Sequence, residues 1–218
     1  LITEEAERMS VAQLNLQAGK KAKNAAAYEP AYRYLSAGVD MLPSDTWSHY
    51  YDLTLDLYNE CAEAAYLSAN VDEMERLTNL VFVNVTTLLD SVRAYAIKIQ
   101  GYVSLTRNEA ALNTSLEVLK LLGVHFPDHP NKLNIVKSLI LTKIRLRGKS
   151  ADQLVALPVM TDPVKSAVME ILPYAASASY FAKPDLFPLI VFRQVGLSVQ
   201  FGNHVQSAFA YATYGLVM

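Results

Sequence analysis

Apolar residues recur along most of this chain at intervals of three and four, the period of an α-helix with one face turned toward a core. Runs that alternate at every second residue, as a half-buried strand would, are absent. The pattern predicts helices at about 3–22, 27–41, 46–68, 71–88, 91–106, 108–122, 131–147, 150–157, 163–182, 185–202 and 204–218. The expected fold class is all-α. Capping residues support several cuts. Ser44-Asp45 stands ready to cap a helix near Trp47, and Thr161-Asp162 precedes Pro163, which suits a first helical turn. Gly123, followed by Phe126, Pro127 and Pro130, closes another helix. Pro173 and Pro188 lie inside apolar helical patterns, where each removes a backbone donor and is expected to kink or break its helix.

The first helix pair carries a spacing of small and large residues. Gly19, Ala31, Leu35, Gly38 and Pro43 follow one another at tetratricopeptide-like separations. Small residues at Gly19, Ala31 and Gly38 let two antiparallel helices approach, Leu35 fills the gap, and Pro43 stops the second helix. Tyr66, Val71 and Met74, then Tyr102 and Ala111, form weaker copies that lack the closing proline. The expectation is a degenerate helix-pair solenoid with a right-handed superhelix, residues 1–122 forming tetratricopeptide-like pairs and 123–218 further hairpins of the same array. An irregular helical bundle is the alternative.

Charge removes one class of partner. Lys plus Arg number 19 against 21 Asp plus Glu, a net charge of −2 with no basic field to hold a phosphate backbone, so nucleic acid is not an expected partner. The stretch from Gln194 to Met218 has no charged residue but is interrupted by Gln200, Asn203, His204 and Gln206, so no membrane span is predicted. Cys61 is the only cysteine, which rules out an internal disulfide and fits a reducing compartment; the expected location is the cytoplasm. A chain that opens at Leu1 without Met and stops at Met218 inside a helical pattern reads as a piece of a larger protein.

Catalytic constellations are hard to find. His125 and His129 flank Asp128 at a ligand-like separation, but in a proline-bounded loop they read as a turn and not as a metal site. His49 reads as a ring packed near Trp47, His204 as a capping or surface residue, and Cys61, among alanines, as core. Glu60, Glu63, Asp72, Glu73 and Glu75 have the spacing of a solvated face, and Lys20, Lys21 and Lys23 suit the end of a helix dipole. No glycine-rich phosphate loop is present. No catalytic residue, metal or cofactor is expected. Tyrosine is amphipathic enough to line peptide grooves, and Tyr28, Tyr32, Tyr51, Tyr58 and Tyr66 cluster in the first third as the candidate interaction surface.

Several of these segments carry a resemblance. Leu14–Ala22, Ala31–Leu35 through Met41-Leu42-Pro43, Trp47 with Tyr51–Leu55, Leu121–Val124, Leu157–Pro163, and Tyr180–Pro184 through Ala210–Gly215 resemble the helical segment of large bacterial signalling proteins. In that family a Ser/Thr kinase-like domain and an AAA-type or STAND-like ATPase precede the segment, and a GAF domain with a sensor histidine kinase often follows. The resemblance implies a tetratricopeptide-like regulatory region with no catalytic residues of its own.

The expected function is therefore a scaffold or regulatory module that docks protein segments, foremost other domains of its parent chain. The rival is a small-molecule sensor with a pocket at the kinked helices around Pro173 and Pro188, lined by Tyr180, Phe181, Phe187 and Phe192. The last helix places Val205, Ala208, Phe209, Ala212 and Leu216 on one face, which predicts self-association through it.

Overall fold

Why each helix starts and stops is visible in the computed structural model, which describes residues 4–218. The first predicted helix began at residue 3, outside the described residues. All regular structure described is helical, apart from a lone parallel bridge between Val159 and Asn203. The chain forms two compact units, one ending at Gly101 and the other starting at Tyr102.

In the first unit, α1 (Glu5–Asn24) buries Met9, Ala12, Leu16 and Gly19, one stripe at helical spacing. It packs on α2 (Tyr28–Asp40), which buries Ala31, Leu35 and Gly38. The close approach expected here is present. A β-carbon at Gly19 would collide with the Leu35 side chain, and one at Gly38 would come within 2.8 Å of Leu57 Cδ2 and 3.2 Å of Asn15 Cβ.

The helix predicted at 46–68 is two helices, α3 (Thr46–His49) and α4 (Tyr51–Leu67), parted at Tyr50 with φ −131 and ψ 42. The break folds Thr46 back so that its hydroxyl meets that of Thr54 in a buried contact. Asp45 begins α3 but makes no capping hydrogen bond; its carboxylate pairs with His49 at 3.3 Å. His49 is thus an exposed ring facing a carboxylate, not a packed one. α5 (Val71–Asn84) packs on α4 and is capped by Asn70, whose side chain accepts from the Glu73 N–H. α6 (Leu88–Ser104) carries the divide between the units in its last turn. Cys61 lies in the core shared by α1, α2, α4 and α5, as expected, and burial pushes its thiol up to about 12.

The second unit holds α7 (Asn108–Leu121), α8 (Lys132–Leu146), α9 (Ala151–Val155), α10 (Pro163–Ala182), α11 (Phe187–Phe201) and α12 (Ser207–Val217), with a 3-10 turn at Pro184–Leu186. α7, which the repeat register groups with the amino-terminal pairs, packs against α10, while α11 packs against α8, α10 and α12. Asp162 caps α10 as its position predicted, its side chain accepting from the N–H groups of Val164 and Lys165. Neither proline breaks a helix. α10 continues as one helix through Pro173, and Pro188 sits in the first turn of α11, where a missing donor costs nothing. Gly202 ends α11 at φ +98 and lies against the Pro158 carbonyl, pinning segment 158–160 beside Asn203. A side chain there would be strained and would also collide with backbone.

α12 buries its small face, Ser207, Ala210 and Thr213. Its large apolar residues Phe209 and Leu216 point outward, 41% and 82% exposed, as does Val205 just before it at 82%. No described helix is long and apolar enough to cross a membrane.

Candidate functional site

The five candidate tyrosines of the first unit divide into separate settings. Tyr51, at the start of α4, donates to Asp90 Oδ2 at 2.8 Å and accepts from the Thr86 N–H at 3.0 Å. This bond ties α4 to the connection ahead of α6. Burial alone would raise the Asp90 carboxyl, but hydrogen bonds from Tyr51, Thr87 and Thr86 hold it below its ordinary value. Tyr58 stacks beside Trp47 with ring centroids 5.2 Å apart, and Trp47 also meets Tyr51 edge-on at 6.0 Å. Tyr32 and Tyr58 both feel Cys61 and Arg76, and burial raises both phenols. Tyr66 is raised by burial, then by Glu63 and by the nearby Tyr28, which is itself 37% exposed. Tyr32, Tyr58 and Tyr66 pack against the core with part of each ring at the surface.

Beside them runs a charged ladder. Asp56, Glu60 and Glu63 share one face of α4, being four and three residues apart. Lys20 and Lys23 of α1 approach that face, Lys20 to Asp56 at 2.5 Å and Lys23 to Glu60 and Glu63 at 2.6 and 2.8 Å. Arg93 of α6 also reaches it, with contacts to Asp56, Glu60 and Glu63 at 3.3, 2.6 and 3.0 Å. Three cations meet three carboxylates, so the cluster neutralises itself. The Glu60 side chain is only 6% exposed. Burial would raise its carboxyl, but hydrogen bonds and charge from Lys23 and Arg93 outweigh burial and hold it below the usual range.

This corrects two expectations. Glu60 and Glu63 are not a solvated face, and Lys20 and Lys23 do more than meet a helix dipole; of the five acids only Asp72 is exposed, the others being buried or half-buried. The reason lies in distance along the chain. The partners of Glu60 lie 40, 37 and 33 residues away, at Lys20, Lys23 and Arg93, where local spacing carries no signal.

Of the four aromatics expected to line a pocket at Pro173 and Pro188, two lie largely at the surface. Tyr180 and Phe181 are 60% and 68% exposed and meet edge-on, and Phe187 also meets Tyr180 edge-on, at 5.6 Å. The second unit has a cavity of about 340 Å³ between the loop after α7, α8 and α11. Its wall includes Phe192 from the expected set, and His125, Lys137, Arg145 and Arg193, of which only His125 had been singled out, as a possible metal ligand. One signal could have drawn attention to the rest. Between 132 and 149 the chain carries Lys132, Lys137, Lys143, Arg145, Arg147 and Lys149 and no acid, and Arg193 is the last charged residue before Met218. His204 stands before α12, its Nδ1 accepting from the Gln206 N–H at 3.3 Å, and burial lowers its pKa.

No protein-family model matches the chain, and no solved structure matches it. Along its whole length it is similar to a stretch of hybrid signal transduction histidine kinase G of Dictyostelium discoideum, at 18% identity over 244 residues. The alignment takes in 100% of this chain and 7% of that protein. An all-helical chain aligned in this way fits a segment of a signalling protein.

Proposed function

We propose that this chain is a non-catalytic, tetratricopeptide-like helical segment of a multidomain signal-transduction protein, and that it docks protein segments, foremost other domains of its parent. The observation that carries the reading is the alignment of the entire chain with a small stretch of a hybrid signal transduction histidine kinase. Two features of the first unit support the stacked-pair form. Glycines stand where consecutive helices touch, and one ladder joins α1, α4 and α6, the leading helices of successive pairs in the repeat register. The partly exposed rings of Tyr28, Tyr32, Tyr58 and Tyr66 supply rigid amphipathic contact area of the kind that receives peptides, with Tyr51 holding the α4 end in place. The outward face of α12 is where a further helix pair would pack, and where an isolated segment would self-associate. Docking would act by population shift, biasing an output domain by the difference in affinity between its states.

The test is to express separately the domains that flank this segment in the longer chain and titrate each against it. Saturable binding weakened at least tenfold by Tyr28→Ala with Tyr66→Ala supports the reading. Absence of binding by every flanking domain overturns it. The segment alone should neither hydrolyse ATP nor retain zinc; stoichiometric zinc that survives dialysis against a chelator and is lost in His125→Ala would contradict the non-catalytic reading.

A further inference from the structure

The cavity of the second unit combines two kinds of wall. One is cationic. Lys137 and Arg145 come from α8 and Arg193 from α11, and no Asp or Glu lines the space. None of the three makes an ion pair or hydrogen bond among the described residues, unlike the cations of the first unit's ladder. The arrangement is built in place. Arg193 and Gly196 are one turn apart on α11, and Gly196 has no side chain where the Arg145 guanidinium lies. A β-carbon there would stand 2.6 Å from Arg145 Nη1. Arg145 therefore crosses onto the same face of α11 that carries Arg193. Both guanidiniums line the one cavity, and burial, then the charge of Arg145, lowers the Arg193 pKa. The other wall is apolar, made by Phe126 and Pro127 from the loop, Leu141 from α8, and Leu189 and Phe192 from α11.

We propose that this cavity binds a small phosphate monoester with an apolar or aromatic body. The phosphate sits between Arg145, Arg193 and Lys137, and the body rests against Phe126, Leu189 and Phe192. A phosphate monoester is close to a dianion at neutral pH, which neutralises clustered cations more fully than a carboxylate, and guanidinium forks match its oxygens in pairs. A cavity of about 340 Å³ accommodates a ligand of that size and is too small for a folded partner. The site does not depend on the docking surface of the first unit. It gives the segment an input of its own, a metabolite whose binding relieves the repulsion between α8 and α11.

The experiment is calorimetric titration of the whole chain with phenyl phosphate, inorganic phosphate and phenol. Phenyl phosphate is expected to bind at least tenfold more tightly than either of the others, because only it satisfies both walls. Arg193→Gln and Arg145→Gln should each weaken it at least tenfold. Both remove a like-charge contact, so the melting temperature should not fall. Lys137→Gln, on the exposed side of α8, gives a further weakened variant that leaves the packing intact. Lys149→Gln removes the same charge outside the cavity and should change nothing. Equal weakening by Lys149→Gln, or no saturable binding of phenyl phosphate at millimolar concentration, would overturn the proposal.

Discussion

At Gly19 two residue-scale effects oppose each other and packing decides. Alanine is the better helix former by about 1 kcal/mol, so helix propensity alone predicts that Gly19→Ala stabilises. The new methyl group, however, would meet the Leu35 side chain, and overpacking a filled core costs about 1–3 kcal/mol. We expect Gly19→Ala to destabilise in urea unfolding, and Leu35→Ala to cost less in that background than alone, since it opens space for the methyl. Gly38→Leu should cost about 1–3 kcal/mol by the same mechanism, against Leu57 and Asn15. These glycines were legible in the sequence because their spacing encodes contact between neighbouring helices. The Glu60 setting was not, since burial and charge there are set by helices distant in sequence.

Among the elements, the ladder on α4 binds α1 and α6 to it and makes stability depend on pH. A carboxyl whose folded pKa is depressed contributes stability above its unfolded value and loses it as pH falls through the folded one. For Glu60 that places the loss below its ordinary value of 4.5. Arg93→Gln leaves a buried carboxylate with one fewer donor; discounted for the part of Arg93 in water, the cost at neutral pH is about 1–3 kcal/mol. Stability measured between pH 7 and pH 3 should show the wild-type advantage largest at neutral pH and narrowing on acidification. A gap constant across that range would show that Arg93 acts by packing alone. Most helices were legible from periodicity and caps, as at Asp162 and Gly123. The break at Tyr50 was not, because no glycine or proline marks it; it accompanies a buried contact between Thr46 and Thr54, eight residues apart. Pro188 looked interior because the 3-10 turn at Pro184–Leu186 runs directly into α11.

For the molecule as a whole, charge separates the units although the total is near neutral. Residues 1–101 hold 14 acidic against 8 basic side chains, net −6, and residues 102–218 hold 7 against 11, net +4. On the proposed docking and anion-binding roles, the first unit would favour a basic segment and the second an anion, and salt should weaken both forms of binding. The exposed face of α12 adds an apolar surface at Phe209 and Leu216. Sedimentation across a range of concentrations should show association that Phe209→Lys and Leu216→Lys reduce, whereas association unaffected by either change would place it on another surface.

The central claim, a docking segment within a signalling chain, is tested most directly by hydrogen–deuterium exchange on the segment with and without the flanking domain that binds it. The account predicts protection on binding in α2 and α4, around Tyr28, Tyr32, Tyr58 and Tyr66, with the core amides beneath already slow in both states. Unchanged exchange throughout the first unit at saturating partner would contradict it.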